Sequence, residues 1–197
     1  DDYHQLWISP TDPNVMIVAS DQGSVVTMNG TDDTPEWSSW YNQPTAQLYH
    51  VSVTHGFPWV ATGAQQDSGA VGTPSRSPRG VISIREWVGL CAGGESGYTA
   101  PDPLHPEILF GGTVSKCNVL TGATTTGSPG RGQPGPFRHA RAQPLVFSAA
   151  DPQALCFANQ FVYRPLNGGE SLTQISQDLA REDPGVPPNL DAAAAAD

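Results

Sequence analysis

The stretch "SPTDPNVMIVAS", residues 9–20, sets a proline turn directly in front of an apolar run. The same arrangement returns in "VTHGFPWVATGA" (53–64), "APDPLHPEILFGG" (100–112) and "SAADPQALCFAN" (148–159). Aligned on Pro13, Pro58, Pro106 and Pro152, the successive gaps are 45, 48 and 46 residues. Proline suits such a turn because it pre-sets φ and has no amide proton to offer a central strand. Each unit therefore reads as a short strand, a proline turn and a more apolar second strand.

Two weaker strand patterns complete each unit. They are "SVVTMN" and "EWSSWY" in the first, "GAVGT" and "VISIREWV" in the second, "KCNVLTG" and "ATTTGSP" in the third, "FVYRPL" and "SLTQIS" in the fourth. Four strands repeating at this interval predict an all-β chain, a β-propeller of four-stranded antiparallel blades. Four blades are countable: 1–46, 47–96, 97–142 with a Gly/Pro-rich exit ("GSPGRGQPGPFRHARAQ", 127–143), and 143–180. Residues 181–197 read as a linker or insertion, so the four blades are expected to belong to a larger ring. The opening on "DDYHQLWISP" without Met reads as a mature chain or an excised fragment.

Composition agrees with many short strands. The 197 residues include 21 Gly and 19 Pro, and only 14% are charged. A net charge of −10, with Lys116 as the single lysine, excludes a basic face for nucleic acid. No apolar run approaches the ~20 residues a membrane helix needs. Cys91, Cys117 and Cys156 form no C-x-x-C pair, which argues against a zinc site and for small buried hydrophobes. A disulfide between two of them is the alternative in an exported protein.

The segment "LNGGESL" (166–172) resembles the Asp box of the BNR-repeat propellers, the group of sialidases, some endo-glucanases and sortilin-type receptor domains. It departs from S-x-D-x-G-x-T-W, with Asn167 for Asp, Ser171 for Thr and Leu172 for Trp. "MNGTDDTPEW" (28–37) is similar to a second copy stretched by an insertion, keeping Asn29, Gly30 and Trp37. The series "DYHQLWISPTDPN", "WYNQPTAQLYHV", "GAQQDSG", "GGESGYTAPDP" and "SQDLAREDPGVPPNLD" resembles large exported bacterial propeller proteins of the sortilin-like or glycosyl-hydrolase-like kind. The resemblance implies a periplasmic or extracellular protein whose partners include further blades. It also implies that Asn167, Gly168, Gly169 and Ser171 are structural, tying a hairpin on the face away from any ligand.

Blade topology brings the loops between second and third strands to one face, together with the connections between blades. That face collects Asp2, His4, Asp21, Gln22, Asn42, Gln43, Gln47, Gln65, Gln66, Asp67, Glu95, Ser96, Asn159 and Gln160, whereas the opposite turns are ordinary proline turns. Rigid scaffolds carry their binding residues on such loops. Amides and carboxylates with Trp40, Tyr41 and Tyr98 nearby suit a glycan or polypeptide. Gln43, Gln47, Gln65, Gln66, Asp67, Glu95, Ser96 and Asn159 are the expected ligand-binding residues; capping of strand ends is the structural alternative for each.

The leading functional expectation is a recognition propeller without catalysis. Glycoside hydrolysis by a carboxylate pair from Asp21, Asp67 and Glu95 is the alternative, since two carboxyl groups about 5–9.5 Å apart suffice. A sialidase is disfavoured, because Arg76, Arg79 and Arg85 sit in or beside outer strands. A structural scaffold in an exported assembly is a third class. No cofactor is expected; a calcium ion on Asp2, Asp21 or Asp67 is a minor option, and His4, His50 and His55 make a weak metal set.

Overall fold

The computed structural model describes residues 2–21, 23–40, 45–127, 137–138 and 140–180. Gln22, Asn42, Gln43, the 181–197 tail and positions 128–136 of the Gly/Pro-rich connection lie outside the described residues. The described chain is all-β apart from isolated single turns, with fifteen strands in four antiparallel sheets. It divides into two compact units, residues 1–46 with 83–85, and residues 47–82 with 86–197.

The first unit holds a three-stranded meander, β1 (Tyr3–Ile8), β2 (Met16–Ser20) and β3 (Gly23–Thr27). The expected fourth strand, "EWSSWY", is reduced to a single bridge between Thr27 and Trp37. The nine residues between them are gathered by Asn29, whose Oδ1 accepts from Thr27 Oγ1 at 3.0 Å and from the Glu36 amide at 2.9 Å. A side chain that satisfies local backbone competes with ladder pairing, and here it leaves room for one bridge only.

Three four-stranded meanders make the second unit. They are β4 (Ser52–Val53) to β7 (Val88–Leu90), with β5 (Val60–Ala64) and β6 (Ala70–Pro74) between; β8 (Thr99–Pro101) to β11 (Thr124–Thr126), with β9 (Ile108–Gly111) and β10 (Ser115–Asn118); and β12 (Leu145–Phe147) to β15 (Ser171–Gln174), with β13 (Leu155–Ala158) and β14 (Val162–Leu166). One expected strand moves. "VISIREWV" begins in turns, and pairing with β6 starts only at Val88. Within that segment Glu86 is drawn into an ion pair with Arg79 at 2.5 Å and a hydrogen bond from Ser77 at 3.0 Å.

All four proline turns share one closing bond. The residue at the turn's start donates its amide to the carbonyl six positions on: Ser9 to Val15, Thr54 to Val60, Asp102 to Ile108 and Ser148 to Ala154, at 2.8–3.0 Å. Each starting residue also carries an oxygen that caps its own turn. Ser9 Oγ accepts from the amides of Thr11 and Asp12, Ser148 Oγ from Ala150 and Asp151, and Asp102 Oδ1 from Leu104 and His105. Thr54 Oγ1 takes the amide of Val60 instead. Ser, Thr and Asp favour such local acceptance, which satisfies amides a sheet end leaves without ladder partners.

First strands meet in the middle of this unit: β8 packs against β4, β5 and β12. Thr62 and Thr99 join the second and third sheets through a buried hydroxyl pair at 2.9 Å. The main core lies between the third and fourth sheets, where Val114, Leu145, Phe157 and Tyr163 are fully buried and Phe110 and Leu155 nearly so. Phe157 and Phe161 both pack their rings on Tyr163.

The cysteine expectation needs correction. Cys91 and Cys117 form a disulfide with their Cα atoms 5.6 Å apart, leaving only Cys156 as a free, half-buried thiol. Cys117 is nevertheless fully buried beside Leu109 and Ala92, so it serves as core residue and cross-link together.

Two stability outcomes follow from this packing. The disulfide spans 26 residues, and closing such a loop restricts the unfolded chain by about 3 kcal/mol. Urea melts of Cys91→Ser/Cys117→Ser should show a loss of that size, and Cys156→Ser almost none. The Tyr163 hydroxyl is buried with no hydrogen-bond partner among the described residues. Tyr163→Phe should therefore be neutral or raise stability by up to about 1–2 kcal/mol, because the ring packing remains and an unsatisfied group is removed. A clear loss in the same melts would mean the hydroxyl has a partner.

Candidate functional site

The β5–β6 loop begins as a strand extension. Gln65 bridges Leu48, Tyr49 donates its amide to Ala64 O at 3.1 Å, and Gln66 donates its amide to Gln47 O at 3.0 Å. This pairing lays residues 47–49 alongside residues 64–66. The loop then reverses, with Asp67 at φ 57° and Gly69 at φ 72°. Aspartate tolerates the left-handed region better than most residues with a side chain, which accounts for its position at the tip.

The extension gives Gln66 a fixed direction. Its Oε1 accepts from the Tyr49 hydroxyl. Its Nε2 donates to Asp67 Oδ1 at 3.0 Å and to Glu95 Oε1 at 2.9 Å. One carboxamide thus holds a phenol and two carboxylates. Both carboxylate oxygens lie within hydrogen-bond reach of one nitrogen, so they are at most about 6 Å apart.

Glu95 arrives from the connection between β7 and β8. That segment runs directly over the end of β9: a Cβ placed on Gly111 would stand 2.3 Å from Gly93 N and 2.7 Å from the Ala92 carbonyl carbon. Only glycine allows this approach. Ser96, at φ 60° and buried, donates its hydroxyl to Arg141 O at 3.1 Å. The Arg141 side chain then pairs with Glu95 Oε1, and its guanidinium carbon stands 6.0 Å from the Tyr49 ring centroid. Tyr98, two residues past Ser96, stacks on His50 with centroids 3.8 Å apart and planes 18° from parallel.

The site is therefore a half-exposed network of Tyr49, Gln66, Asp67, Glu95 and Arg141, with Glu95 paired to the guanidinium and Asp67 held through Gln66. Of the expected ligand residues, Gln66, Asp67 and Glu95 come together. Gln47 contributes its carbonyl, Gln65 turns its carboxamide back onto Ser68 O at 3.1 Å, and Ser96 anchors the Arg141 backbone. Asn159 is spent on its own turn, accepting the Phe161 amide at 2.8 Å. Asp21 belongs to the first unit, where its carboxylate pairs with His4.

Tyr49 and Arg141 escaped the sequence reading. Tyr49 reads as an ordinary strand aromatic, and Arg141 closes a Gly/Pro-rich connection without periodicity. Nothing local marks either residue. On the expected Asp-box turn, the side chains of Asn167 and Ser171 make no hydrogen bond among the described residues. The backbone turns instead through Asn167, Gly168 and Gly169 at φ 50°, 67° and 96°.

Compared with known proteins, the chain matches no protein-family model and no curated protein.

The close approach at Gly111 makes the site's geometry testable. Gly111→Ala must push the 91–97 segment away, at a cost of about 1–3 kcal/mol for overpacking. The same shift should separate Glu95 from Arg141. Thermal melts together with the amide shifts of residues 94–97 check both effects; an unchanged melt and spectrum would deny the contact.

Proposed function

We propose that the chain is a β-propeller segment that recognises a hydroxyl-rich glycan, without turning it over, at the Gln66–Asp67–Glu95–Arg141 network. Four meanders at nearly equal intervals, each starting with the same closed turn, support the blade reading. So does the meeting of first strands at β8, because blades present their first strands toward a common axis. Resemblance to exported sortilin-like and glycosyl-hydrolase-like propellers points the same way. The disulfide fits an oxidising compartment, and no helix among the described residues is long and apolar enough to cross a membrane.

The observation that carries the binding reading is that Gln66 ties Tyr49, Asp67 and Glu95 together while Arg141 pairs with Glu95 beside the Tyr49 ring. Carboxylates and amides held in a fixed network are matched acceptors and donors for neighbouring hydroxyls, and an ordered network loses little entropy when a ligand arrives. Tyr49 adds an aromatic face beside the guanidinium. The Arg141 guanidinium is already paired with Glu95, which disfavours an acidic sugar, in keeping with the scattered Arg76 and Arg79. Arg76 lies over Phe57 and Arg79 pairs with Glu86.

A glycoside hydrolase at the same place is the second reading, because an upper bound of about 6 Å on the Asp67–Glu95 oxygen separation is compatible with the shorter separations that such enzymes use. Against it, Glu95 is bound by a guanidinium and a carboxamide, whereas a proton-donating carboxyl is kept neutral by an apolar pocket. Binding is favoured on that contrast.

The test is a panel of neutral polysaccharides, acidic polysaccharides and peptides, scored for binding and for released product. A neutral glycan should bind, with Asp67→Asn, Glu95→Gln and Arg141→Gln each weakening it about 10-fold or more, the range for hydrogen bonds to charged groups. No product should appear. Product that Asp67→Asn and Glu95→Gln abolish would establish the hydrolase, and a peptide as sole ligand would replace the glycan. A chain that binds nothing on the panel would be a scaffold.

A further inference from the structure

At the proline-turn end of the third and fourth sheets lies a cavity of about 450 Å³, a size usual for small-ligand pockets. Its apolar lining comes from Leu104 and Ile108 of the β8–β9 turn and strand, Phe110 of β9, and Phe147 at the end of β12. Phe110 and Phe147 meet edge to face with centroids 5.9 Å apart, giving the floor an aromatic corner. Lys116, the chain's single lysine, reaches into this space from β10, directly across the ladder from Phe110.

The ammonium is placed by the backbone. Gly168, at φ 67°, lines the same cavity, and a Cβ there would stand 2.9 Å from Lys116 Nζ. Among the described residues, the ammonium of this half-buried lysine has neither an ion pair nor a hydrogen bond. The acids lining the cavity are not paired with it: Asp102 Oδ1 caps its own turn, and Glu107, also half-buried, forms no ion pair among the described residues. His105 completes the rim of titratable groups. An ammonium that lines a cavity without a partner leaves its hydrogen-bond donors unmatched. One that faces an aromatic floor is matched by a ligand bringing a counter-charge on an apolar body.

We infer that this cavity is a ligand site, separate from the Gln66 network, for a small monocarboxylate with an apolar or aromatic body. The carboxylate meets Lys116 Nζ and the body lies over Phe110 and Phe147. A charge-assisted bond in a half-buried site is about twice as strong as a neutral one, so the charge should be read clearly.

Titration calorimetry of the full chain with 3-phenylpropionate and its uncharged analogue 3-phenylpropanamide tests this directly. The acid should bind about 10-fold or more tightly than the amide, the discrimination expected of one charge-assisted hydrogen bond. Lys116→Gln should erase that preference, Lys116→Arg should retain it, and both should melt like the parent chain. Glu107→Gln should leave acid binding equal or tighter, and Glu95→Gln should not affect it. Equal binding of acid and amide, or binding of neither, would overturn the inference on the parent chain alone, whatever the variants do. So would a loss of acid binding in Glu107→Gln as large as in Lys116→Gln, because a monocarboxylate gains nothing from a second carboxylate.

Discussion

The rest of the architecture depends on one recurring constraint, the six-residue turn closed from Ser9, Thr54, Asp102 and Ser148. Each turn joins a first strand to a second and fixes where the second begins. Its cap oxygen satisfies amides that would otherwise be unpaired, so proline can occupy the turn without losing a ladder bond. Once that register is set, alternation along the second strand decides which side chains enter the core. Leu109 and Leu155 are both nearly fully buried one residue into their strands or at their start.

The two ends of the sheets use their loop oxygens differently. At the turn end, oxygens of Ser9, Asp12, Ser148 and Asp151 are absorbed by neighbouring amides and are not offered to a ligand. At the other end, the β5–β6 loop extends beyond its ladder and directs Gln66 outward. The same residue types thus serve the backbone in one place and one another in the second. The difference lies in geometry: a closed turn supplies amides at hydrogen-bond distance, whereas an extended loop tip leaves side chains to satisfy each other.

Glycine has a comparable influence on the site. The 91–97 connection approaches β9 closely enough that Gly111 and Gly93 meet backbone to backbone. This contact, the Cys91–Cys117 bond and the Ser96–Arg141 bond anchor the segment carrying Glu95 at three points. The carboxylate is therefore placed by main-chain packing and a covalent link, with its own hydrogen bonds making the final adjustment. Such support suits recognition, since a preorganised group spends less entropy on binding.

By itself, the sequence determined the all-β class, the four sheets and the location of the proline turns. These depend on local chemistry that repeats: Pro beside Ser, Thr or Asp, then an apolar run. It also singled out Gln66, Asp67 and Glu95, because polar residues at strand ends stand out against an apolar pattern. Only the tertiary structure decided that Trp37 makes a bridge and not a strand, that Cys91 pairs with Cys117, that Tyr49 joins Gln66 and that Arg141 joins Glu95. Those outcomes follow from residues meeting across 10 to 46 positions of chain, and no periodicity along the backbone encodes which partners will face each other.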